Sequence, residues 1–505
     1  MMARYVYILL LTFLLVGAGS YAQQTVTLYI STTGNNSWGG TAPQPNRART
    51  NGPLKSITGA LQLVKKSYQN KPLVELVFRQ GNYNFEKGVI IDTAIKSGNN
   101  KLIIRNYKNE IVTFSGSIAL NNFKKVENQS VKKHLKPEIF ERVWQADISK
   151  HDIEIFGRIK NRSTPGAELF FNGRRMQLAR WPDTGWAYVK EVPQTGVLIN
   201  EGNRYNQRYD IINTGRHYGR FKFAETNPSS WADIANISLY GYWVHDWYDE
   251  FLSIEKIDTA TKEFFIKKPH SIYGYSPGQR YYALNVLEEL DRPGEWVIDR
   301  TQKVIYFYPP ADISKNNCNV SVLREPFFHL ENVRNVLIQG IRFKYSQATG
   351  IAIKDGSDNI IEGCTFSYLG DIAVRISGGE KNGISSCDFY NLSGGGISIT
   401  GGNRMTLKSV GNFATNNHLH HFGQWLKTNQ SAITISGVGN ILSHNLIHNG
   451  PNSGITLYGN EHIIEYNDLH TLAQETEDVG AFYMGRDWTQ RGNIIRYNYF
   501  HLYII

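Results

Sequence analysis

Residues 336–390 read VLIQGIRFKYSQATGIAIKDGSDNIIEGCTFSYLGDIAVRISGGEKNGISSCDFY. Apolar residues recur in this segment every 23 positions, and the recurrence continues along the rest of the chain. The three columns are Ile338, Ile361, Ile384, Leu407, Leu442, Ile464 and Ile495; then Ile341, Cys364, Cys387, Val410, Asn445, Asn467 and Asn498; then Phe343, Phe366, Phe389, Ile447, Leu469 and Phe500. A period of this length predicts stacked repeats, each of which buries its apolar face only against its neighbours.

Each repeat alternates apolar and polar residues over short runs bounded by Gly and Asn, which is a strand pattern. Strands that repeat in register lie about 4.8 Å apart. The sequence therefore predicts an all-β fold, a parallel β-helix in which like side chains stack on like. The repeat disappears across residues 121–325, where short alternating runs indicate a β-rich inserted domain.

The remaining segments follow from this division. Residues 1–22 have the pattern of a cleavable signal peptide, since an apolar run follows Arg4 and a small-x-small site ends at Ala22. We therefore expect a secreted or periplasmic protein. Residues 23–120 are expected to form an N-terminal cap, with a short helix at 57–64, and the first coils; residues 326–505 are expected to form the main β-helix.

The 505-residue chain carries a net charge of +10, but it shows no cluster of Lys and Arg and no nucleic-acid-binding motif. A soluble basic surface and attraction to an acidic polysaccharide both fit this charge. We expect no nucleic-acid partner and a monomer. The apolar run of the signal peptide is too short to span a bilayer, and no later segment is long enough, so we also predict no membrane span.

Two polar columns have structural interpretations. The trio Asn445, Asn467 and Asn498 predicts an asparagine ladder, in which stacked amides hydrogen-bond along the axis. Cys364 and Cys387 occupy one column on adjacent coils, so they are expected to be neighbours. Buried stacked thiols are the favoured interpretation, and a disulfide is the alternative because the strand spacing allows one.

Two insertions in the repeat indicate where a cleft lies. The spacing lengthens after Leu407 and again after Ile464. Insertions in a solenoid project from its binding face. The cleft is therefore predicted over the starts of the strands near residues 431, 453 and 479. Alignment of those strands places the following residues in one column: Asp371, Gly394, Gln430, Asn452 and Asp478.

The densest polar segment of the coils, residues 474–493, supplies the candidate chemistry. Glycosidic bond cleavage commonly uses two carboxyl groups, and we predict Asp478 and Asp487 as the catalytic candidates. Asp487 is the weaker of the two, because its column partner Glu461 lies in an ordinary turn. A solvated turn with Arg–Asp ion pairs is the alternative for the segment. Predicted substrate contacts are Gln430, Asn452, Glu477, Tyr483, Arg486, Trp488 and His421.

The sequence HLHH, with His418, His420 and His421, lies in the first insertion. A metal site, a polar wall of the cleft and a substrate contact by one histidine are all conceivable. The spacing matches no recognised ligand pattern. We therefore predict no metal site. The sequence also contains no P-loop and no dinucleotide-binding fingerprint, so we predict no cofactor.

Four motifs carry a resemblance to a known family: NGRRMQLARWP (172–182), GYWVHDWYDE (241–250), NVLEELDRPGEWVIDR (285–300) and EDVGAFYMGRDWTQRGNIIRYNYFH (477–501). Together they resemble secreted right-handed parallel β-helix proteins of Bacteroidetes, and the enzyme class they resemble is glycoside hydrolase family 141. The resemblance implies a right-handed, pectin-lyase-like solenoid and α-L-fucosidase or xylanase activity on plant cell-wall polysaccharide. The last motif is the most specific of the four.

The resemblance also implies a catalytic role for one residue. The aspartate of the family's D-x-G-A-x-Y segment falls on Asp478. The family pattern has a further pair of acids about one coil later, beyond Ile505. We therefore expect a C-terminally truncated chain in which Asp478 is the one carboxylate of the catalytic pair.

Three functions remain open at this point. The first is a secreted glycoside hydrolase that acts on plant cell-wall or similar polysaccharide. The second is a polysaccharide lyase, with Arg486 as a candidate base. The third is a non-catalytic glycan-binding solenoid. The fold alone does not choose among them.

Overall fold

The structure, a computed structural model, describes residues 25–96, 98–159, 166–193 and 219–502. The predicted signal peptide at 1–22 lies outside the described residues. In the described part of the chain, three long parallel sheets wind into a β-helix, which confirms the predicted all-β solenoid. We call them sheet A, with ten strands, sheet B, with nine, and sheet C, with eight.

The first coils contain a short helix, α1 (Ile57–Leu63), followed by a π-helical turn (Val64–Tyr68). The Ser56 hydroxyl caps α1 by accepting the Gly59 N–H at 3.1 Å. The apolar face of α1 packs on the solenoid core, as predicted for a terminal cap. The strands of these coils are β1 (Thr25–Ile30), β2 (Leu73–Phe78), β3 (Gly81–Asn84), β4 (Val89–Ile91), β5 (Lys101–Asn106) and β6 (Val112–Ser115).

The insertion contains one further α-helix among its described residues, α2 (Gln129–Lys132), and short 3₁₀ turns at Pro137–Ile139, Ile153–Phe156, Asn227–Ser230, Ile234–Asn236, Leu287–Glu289 and Ile313–Lys315. Its strands are β7 (Ser117–Ala119), β8 (Phe123–Lys125), β9 (Trp144–Asp147), β10 (Leu169–Phe171), β11 (Arg174–Arg175), β12 (Gln177–Leu178), β13 (Arg180–Trp181), β14 (Ala187–Tyr188), β15 (Arg220–Lys222), β16 (Ser238–Tyr242), β17 (Asp249–Asp258), β18 (Glu263–Ile266), β19 (Arg280–Leu284), β20 (Glu295–Asp299), β21 (Val304–Phe307) and β22 (Cys318–Ser321).

The main coils follow without a helix as far as residue 502, where the described chain ends. Their strands are β23 (Phe328–Glu331), β24 (Val336–Gln339), β25 (Arg342–Ser346), β26 (Ile351–Lys354), β27 (Ile360–Glu362), β28 (Thr365–Leu369), β29 (Val374–Ser377), β30 (Gly383–Ser385), β31 (Asp388–Tyr390), β32 (Ile397–Gly401), β33 (Phe413–Thr415), β34 (His418–His420), β35 (Ile433–Gly437), β36 (Ile441–Ser443), β37 (Leu446–His448), β38 (Ile455–Leu457), β39 (Ile463–Glu465), β40 (Asp468–His470), β41 (Phe482–Met484), β42 (Ile494–Arg496) and β43 (Tyr499–His501).

Sheet A contains β1, β2, β5, β24, β27, β30, β33, β36, β39 and β42. Sheet B contains β3, β6, β25, β28, β31, β34, β37, β40 and β43, and sheet C contains β4, β23, β26, β29, β32, β35, β38 and β41.

The insertion leaves and re-enters the solenoid without breaking its sheets. Strands β5, β6 and β4 pair in parallel with β24, β25 and β23, which lie on the far side of the insertion in sequence. The insertion begins at β7 and ends at β22, and these two strands pair with each other. It folds into three mixed or antiparallel sheets of its own. The solenoid therefore continues as one body, and the insertion stands beside it.

The predicted phenylalanine column forms a stack in the core. The rings of Phe343 and Phe366 lie 4.9 Å apart and nearly parallel, and those of Phe366 and Phe389 lie 5.0 Å apart. All three side chains are fully buried. This spacing is the distance between neighbouring strands, so the strand hydrogen bonds themselves bring like side chains into contact.

The predicted asparagine ladder is confirmed. The Asn467 Oδ1 accepts the backbone N–H of Asn445 at 3.0 Å, and the Asn498 Oδ1 accepts that of Asn467 at 3.0 Å. Earlier in the same column, the Cys387 Sγ accepts the N–H of Cys364 at 3.4 Å, and both thiols are free and buried. The favoured interpretation of these cysteines is therefore confirmed. A second polar column, not predicted, contains Asn359, Asn382, Asn412, Asn440, His462 and Asn493. Side-chain-to-backbone hydrogen bonds join its neighbours except Asn412 and Asn440, which are equivalent by strand pairing alone.

The predicted columns are wrong at one coil. Ile384 pairs with Ala414 rather than with Leu407, which lies in an excursion closed by a bridge between Asn403 and Lys408. The ladder position assigned to Val410 belongs to Asn417, whose Oδ1 accepts a backbone N–H of the preceding coil at 3.0 Å. An asparagine side chain can accept this hydrogen bond and a valine side chain cannot. The need of the buried backbone N–H for an acceptor therefore favours the register that places Asn417, rather than Val410, in the column.

Among the described residues, no helix has the length and apolar character needed to cross a membrane.

Candidate functional site

The site is built where sheet B turns into sheet C. From β25 onward, each coil has a residue with a left-handed backbone conformation where the chain leaves sheet B, with φ between 49° and 62°. These residues form a column of Tyr345, Tyr368, Asn391, His421, Asn449, Thr471 and Leu502. After His421 and again after Thr471, the chain makes a long loop before it enters sheet C. Both insertions therefore project at one edge, although part of the first lies elsewhere, in the Asn403–Lys408 excursion.

The inserted domain docks on these two loops. The buried Asp249 carboxylate accepts the backbone N–H of Lys427 at 2.5 Å and the Thr428 hydroxyl at 2.5 Å. On the second loop, the backbone N–H of Glu477 donates to the carbonyl of Asp246 at 3.2 Å. The loops are therefore shaped jointly by the solenoid and by a domain that is distant in sequence.

A cavity of about 850 Å³ remains open between the inserted domain and the loops. Aromatic rings, cationic side chains and carboxylates from both parts of the chain line it. Cavities of this volume suit small molecules or a few sugar units, because they bury most of a ligand's surface. The lining residues are Arg174, Arg175, Met176, Gln177, Leu178, Arg180, Asp183, Thr184, Gly185, Trp186, Tyr282, Leu284, Tyr368, Asn391, Gln424, Trp425, Lys427 and Glu475.

One buried ion pair joins the two walls of this cavity. Glu168, whose side chain is 1% exposed, pairs with the Arg175 guanidinium at 2.6 Å and accepts the indole N–H of Trp425 at 2.7 Å. Arg175 also donates to Gln424 at 2.8 Å and to the carbonyl of Asn391 at 3.1 Å. Arg175 and Glu168 come from the insertion and their partners from the solenoid. The pair therefore positions Trp425 at the cavity wall, and removing either charge would leave the other buried without its counter-ion.

The insertion supplies an aromatic and cationic wall. The Trp186 ring lies 5.1 Å from the Tyr282 ring, and the Arg180 guanidinium lies over Tyr282 at 4.1 Å from its centroid. Arg180 donates to the carbonyls of Pro182 and Gly185 at 2.6 and 2.5 Å, so its orientation is set by the backbone. Burial lowers the pKa of Arg180, although arginine stays charged under ordinary conditions.

Glu475 is the acidic residue that the second loop places in the cavity. Its Oε1 accepts the Tyr242 hydroxyl at 3.2 Å, and its Oε2 lies 3.5 Å from the Lys427 ammonium. Arg280 donates to its backbone carbonyl at 3.0 Å, which holds the loop in place. The side chain of Glu475 remains 29% exposed, so a ligand in the cavity could reach it. The second carboxylate in the lining, Asp183, forms an ion pair with Arg292 at 2.6 Å.

The predicted catalytic residue Asp478 lies three positions after Glu475, at the exposed end of the same loop. Its carboxylate is 62% exposed and lies 3.5 Å from the Arg486 guanidinium, which is itself 80% exposed. Its backbone φ is +52°, so the chain turns sharply there before it enters β41. The structure brings Asp478 and Arg486 together, on open surface rather than inside the cavity.

The predicted column before sheet C is correct for its first four members and wrong at the last. Gln430 and Asn452 precede strands that pair Ile433 with Ile455, so they are equivalent. Ile455 then pairs with Phe482, which makes Val479 rather than Asp478 the next member of the column.

The error at the last member has a local cause. Sequence alignment matches Gly480 with Gly454, the glycine directly before β38. The strand pairing instead places the small, buried Ala481 opposite Gly454. The alignment was therefore one residue out of register on this coil.

Asn452 has an internal partner on the neighbouring loop. It is buried, and its amide donates to the Thr476 hydroxyl at 2.8 Å. This geometry makes Asn452 a support of the loop that carries Glu475, rather than the substrate contact that its sequence position predicted. Gln430 is half-buried, and its side chain lies close to Gly394.

Asp487 lies at the other edge of sheet C, after β41. It pairs with Arg404 at 2.8 Å and accepts the Thr489 hydroxyl at 2.5 Å. The hydrogen bond from the Thr489 hydroxyl, followed by the one from Arg404, lowers the pKa of Asp487 to about 2. Its carboxylate therefore stays ionised and joins two excursions of the coil, and this geometry gives no support to its predicted catalytic role.

The other predicted contacts are spread along this face. Glu477 is exposed, and its backbone contacts the insertion. Tyr483 lies on β41 opposite Thr456, while Trp488 is 96% exposed. The His421 ring is exposed and contacts His420, with 2.6 Å between their Nδ1 atoms. The cavity lining described above includes none of the side chains of Glu477, Tyr483, Trp488 and His421.

Sequence reasoning missed most of the cavity. The motif at 172–182 supplies six of the lining residues, but its sequence served only as a family signature and not as a site. Glu475 stood out only as part of a polar segment, and the structure alone distinguishes it from Glu477 and Asp478. The signal that could have singled it out is weak: a carboxylate in a repeat insertion, shortly after the turn out of sheet B.

Comparisons with a family model and with one solved structure agree with this architecture. The model of the family described as "Right handed beta helix region" matches residues 326–410, so the solenoid is right-handed. A solved structure titled "Glycoside hydrolase" superposes with a TM-score of 0.70 at 16% identity, covering 94% of this chain and 88% of that one. A structure titled "The complex structure of XylC with xylose" has a TM-score of 0.43 at 11% identity, covering 88% and 66%. No curated protein matches the sequence.

Proposed function

We propose that the protein is a glycoside hydrolase that binds a glycan in the cavity between the insertion and the two long loops. The observation that carries the proposal is the lining of this cavity, which combines the Trp186 and Trp425 rings with the Glu475 carboxylate. Sugar rings present apolar faces that pack on aromatic rings, while their hydroxyl groups hydrogen-bond to charged side chains. The same architecture occurs in a solved structure that bears the name glycoside hydrolase.

The environment of Glu475 suits one role in this chemistry. The Lys427 ammonium at 3.5 Å and the Tyr242 hydroxyl at 3.2 Å both stabilise negative charge on its carboxylate. An ionised carboxylate acts as the nucleophile or the general base of glycoside hydrolysis, whereas the partner must deliver a proton. We assign the charged role to Glu475.

The proton donor has two candidates in the described chain. Asp478 is the residue that the family resemblance indicates, and its exposed carboxylate can reach a long substrate at the rim. Asp183 lies in the cavity lining, but it forms an ion pair with Arg292 at 2.6 Å, which is much closer than the 3.5 Å between Asp478 and Arg486. We favour Asp478 for the acid role, with a plant cell-wall polysaccharide as substrate that extends from the cavity over the start of sheet C.

The test compares conservative variants on a panel of neutral and uronic-acid plant glycans, with release of reducing ends as the assay. We expect Glu475→Gln to lower kcat at least about a hundredfold, since a general acid, base or nucleophile contributes that much or more. Asp478→Asn is expected to lose activity too, and Asp183→Asn to keep most of it. The matched control is Glu465→Gln, the same change on sheet A, where the carboxylate pairs with Arg496 at 2.8 Å.

Three results would overturn parts of the proposal. Full activity of Glu475→Gln would remove the cavity as the catalytic site. Unsaturated uronate products, detected by their near-ultraviolet absorbance, would show a polysaccharide lyase instead. Glycan binding without product in the unaltered protein would show a non-catalytic binding solenoid.

The proposal includes export of the protein. It rests on the predicted signal sequence at 1–22 and on the polymeric nature of the proposed substrate. Cell fractionation with amino-terminal sequencing tests it. We expect a mature chain that begins at Gln23, and retention of the uncleaved chain in the cytoplasm would contradict the export.

A further inference from the structure

The outer face of sheet B carries a ladder of histidines in its last coils. The strand pairings place equivalent residues of β31, β34, β37, β40 and β43 side by side. Two outward columns result, separated by one inward residue on each strand. One is Tyr390, His420, His448, His470 and His501, and the other is Asp388, His418, Leu446, Asp468 and Tyr499.

The imidazole rings of the first column stack on one another. His448 and His470 lie 4.7 Å apart at an interplanar angle of 4°, and His470 and His501 lie 4.8 Å apart at 33°. The strand spacing imposes this distance. Stacking leaves the ring nitrogens at the edges of the rings, where they can accept or donate.

At the last two coils the two columns meet in a compact set of donor atoms. The His501 Nε2 lies 2.9 Å from the Asp468 Oδ1. One ligand atom each from Asp468, His470 and His501 lies within 4.8 Å of the others, and this is the one such group of three in the part of the chain that the structure describes. All three side chains are half-buried, so the set lies in the surface and remains accessible.

His470 has the support that a metal-binding histidine needs. Its Nδ1 lies 3.0 Å from the Thr471 hydroxyl. When Nδ1 donates to this oxygen, Nε2 keeps its lone pair and becomes the ligand atom. The packing of the ring against His448 and His501 also fixes its orientation.

We propose that Asp468, His470 and His501 bind a divalent transition-metal ion, with zinc as the best fit, although the sequence alone predicts no metal site. Imidazole and carboxylate ligands suit zinc, which takes three protein ligands and one water in an open site. Zinc bonds of about 2.0–2.2 Å place tetrahedral ligand atoms about 3.4 Å apart. The distance of 2.9 Å between the Asp468 and His501 ligand atoms is shorter than this value, and the 4.8 Å within which all three ligand atoms lie is longer. Small side-chain rotations therefore complete the site.

The site is independent of the proposed catalytic cavity, because the two share no lining residue among those described. Zinc bound there would crosslink the coil of β40 to the coil of β43. Metal binding therefore stabilises the last described coils, whether or not the protein cleaves a glycan.

Isothermal titration of the whole chain with zinc chloride at neutral pH, after treatment with a chelator, tests the proposal. We expect one strong site in the unaltered protein. Asp468→Asn and His501→Gln should each weaken zinc binding at least about tenfold, the loss that even an outer partner of a ligand can cause. The matched control is His444→Gln, which alters a histidine that stacks on Tyr466 at 5.0 Å in another column. Its zinc affinity should be unchanged.

A second measurement needs no variant. Zinc should protect His470 and His501 from acylation by diethyl pyrocarbonate, as read by mass spectrometry, and should leave His444 reactive. Circular dichroism confirms that the variants are folded. Unchanged zinc affinity in Asp468→Asn and His501→Gln would overturn the proposal, and so would equal modification of His470 and His501 with and without zinc. Loss of binding in His418→Gln alone would also overturn it, because it would place the ion two coils earlier.

Discussion

The asparagine ladder allows a change in stability to be calculated from individual hydrogen bonds. Asn467 is 1% exposed, and its side chain makes five of them. The Oδ1 accepts the backbone N–H and the amide of Asn445 at 3.0 and 2.9 Å. The Nδ2 donates to Asn498 at 2.9 Å, to the carbonyl of Leu442 at 3.2 Å and to that of Glu465 at 3.1 Å.

Asn467→Ala removes all five bonds and leaves their partners in place. The Asn445 N–H and the Leu442 carbonyl are then buried without this partner, and a buried donor or acceptor without a partner costs roughly 1–3 kcal/mol. The cavity left by the amide adds to this cost. We therefore expect the free energy of unfolding to fall by about 4 kcal/mol, which is the cost of two such groups.

Cys387→Ala is the matched control, since it alters the same column two ladder positions before Asn445. The thiol accepts one backbone N–H at 3.4 Å, and its own S–H is a weak donor to carbonyls at 3.2 and 3.7 Å. We expect a loss of about 1 kcal/mol, typical of one weak hydrogen bond. The contrast between the two variants isolates the amide network from simple loss of side-chain volume.

The assay combines urea unfolding with native-state hydrogen exchange. The coils of a solenoid contact only their neighbours, so they need not unfold in one transition. Exchange of the Asn445 amide reports the local opening directly. If Asn467→Ala and Cys387→Ala destabilised the protein equally, or if the Asn445 amide kept its protection, the ladder would not stabilise the coils as reasoned.

Three further predictions concern single residues. Burial raises the pKa of Glu295 to about 7, so the folded state holds a proton that the unfolded state releases above pH 4.5. The free energy of unfolding therefore falls as the pH rises from about 4.5 to 7. Glu295→Gln should flatten this dependence and should raise the free energy of unfolding at pH 8, measured in urea, by about 3 kcal/mol. Burial lowers the pKa of His462, so the stabilisation by its neutral ring is fully present above pH 6.5 and is lost as the pH falls below that value. His462→Asn should therefore make the urea denaturation midpoint less sensitive to acid. Gly356 and Gly98 share a φ of +72°, but a Cβ at Gly356 would lie 1.9 Å from a carbonyl oxygen, whereas one at Gly98 would meet nothing within 4 Å. Thermal melts should therefore show a large loss of stability for Gly356→Ala and a loss of about 1 kcal/mol for Gly98→Ala.

The solenoid was predictable because its stabilising contacts repeat locally. The columns that contain Ile361 and Phe366 follow from strand spacing alone, and the Asn467 ladder follows from the same register. Sequence spacing failed at Leu407 because an excursion of the chain imitates the continuation of the column. It failed again at Asp478, where Ala481 rather than the neighbouring glycine precedes the strand. Insertions hide the register, and only the hydrogen bonds of the folded coils restore it.

The candidate sites show the same division between what the repeat pattern determines and what only the folded chain brings together. The repeat pattern was enough to establish that the chain forms a β-helix and that its loops project at one edge, because burial of a periodic apolar face leaves few alternatives. The repeat already places Asp468 beside His501, because they flank Leu469 and Phe500 of one predicted column. Folding in three dimensions was needed to bring Trp186 of the insertion to Glu475 of the solenoid. Contacts of this kind join segments that are remote in sequence or that depend on the register of a coil. No local pattern of residues specifies them, since they arise when separately folded surfaces meet.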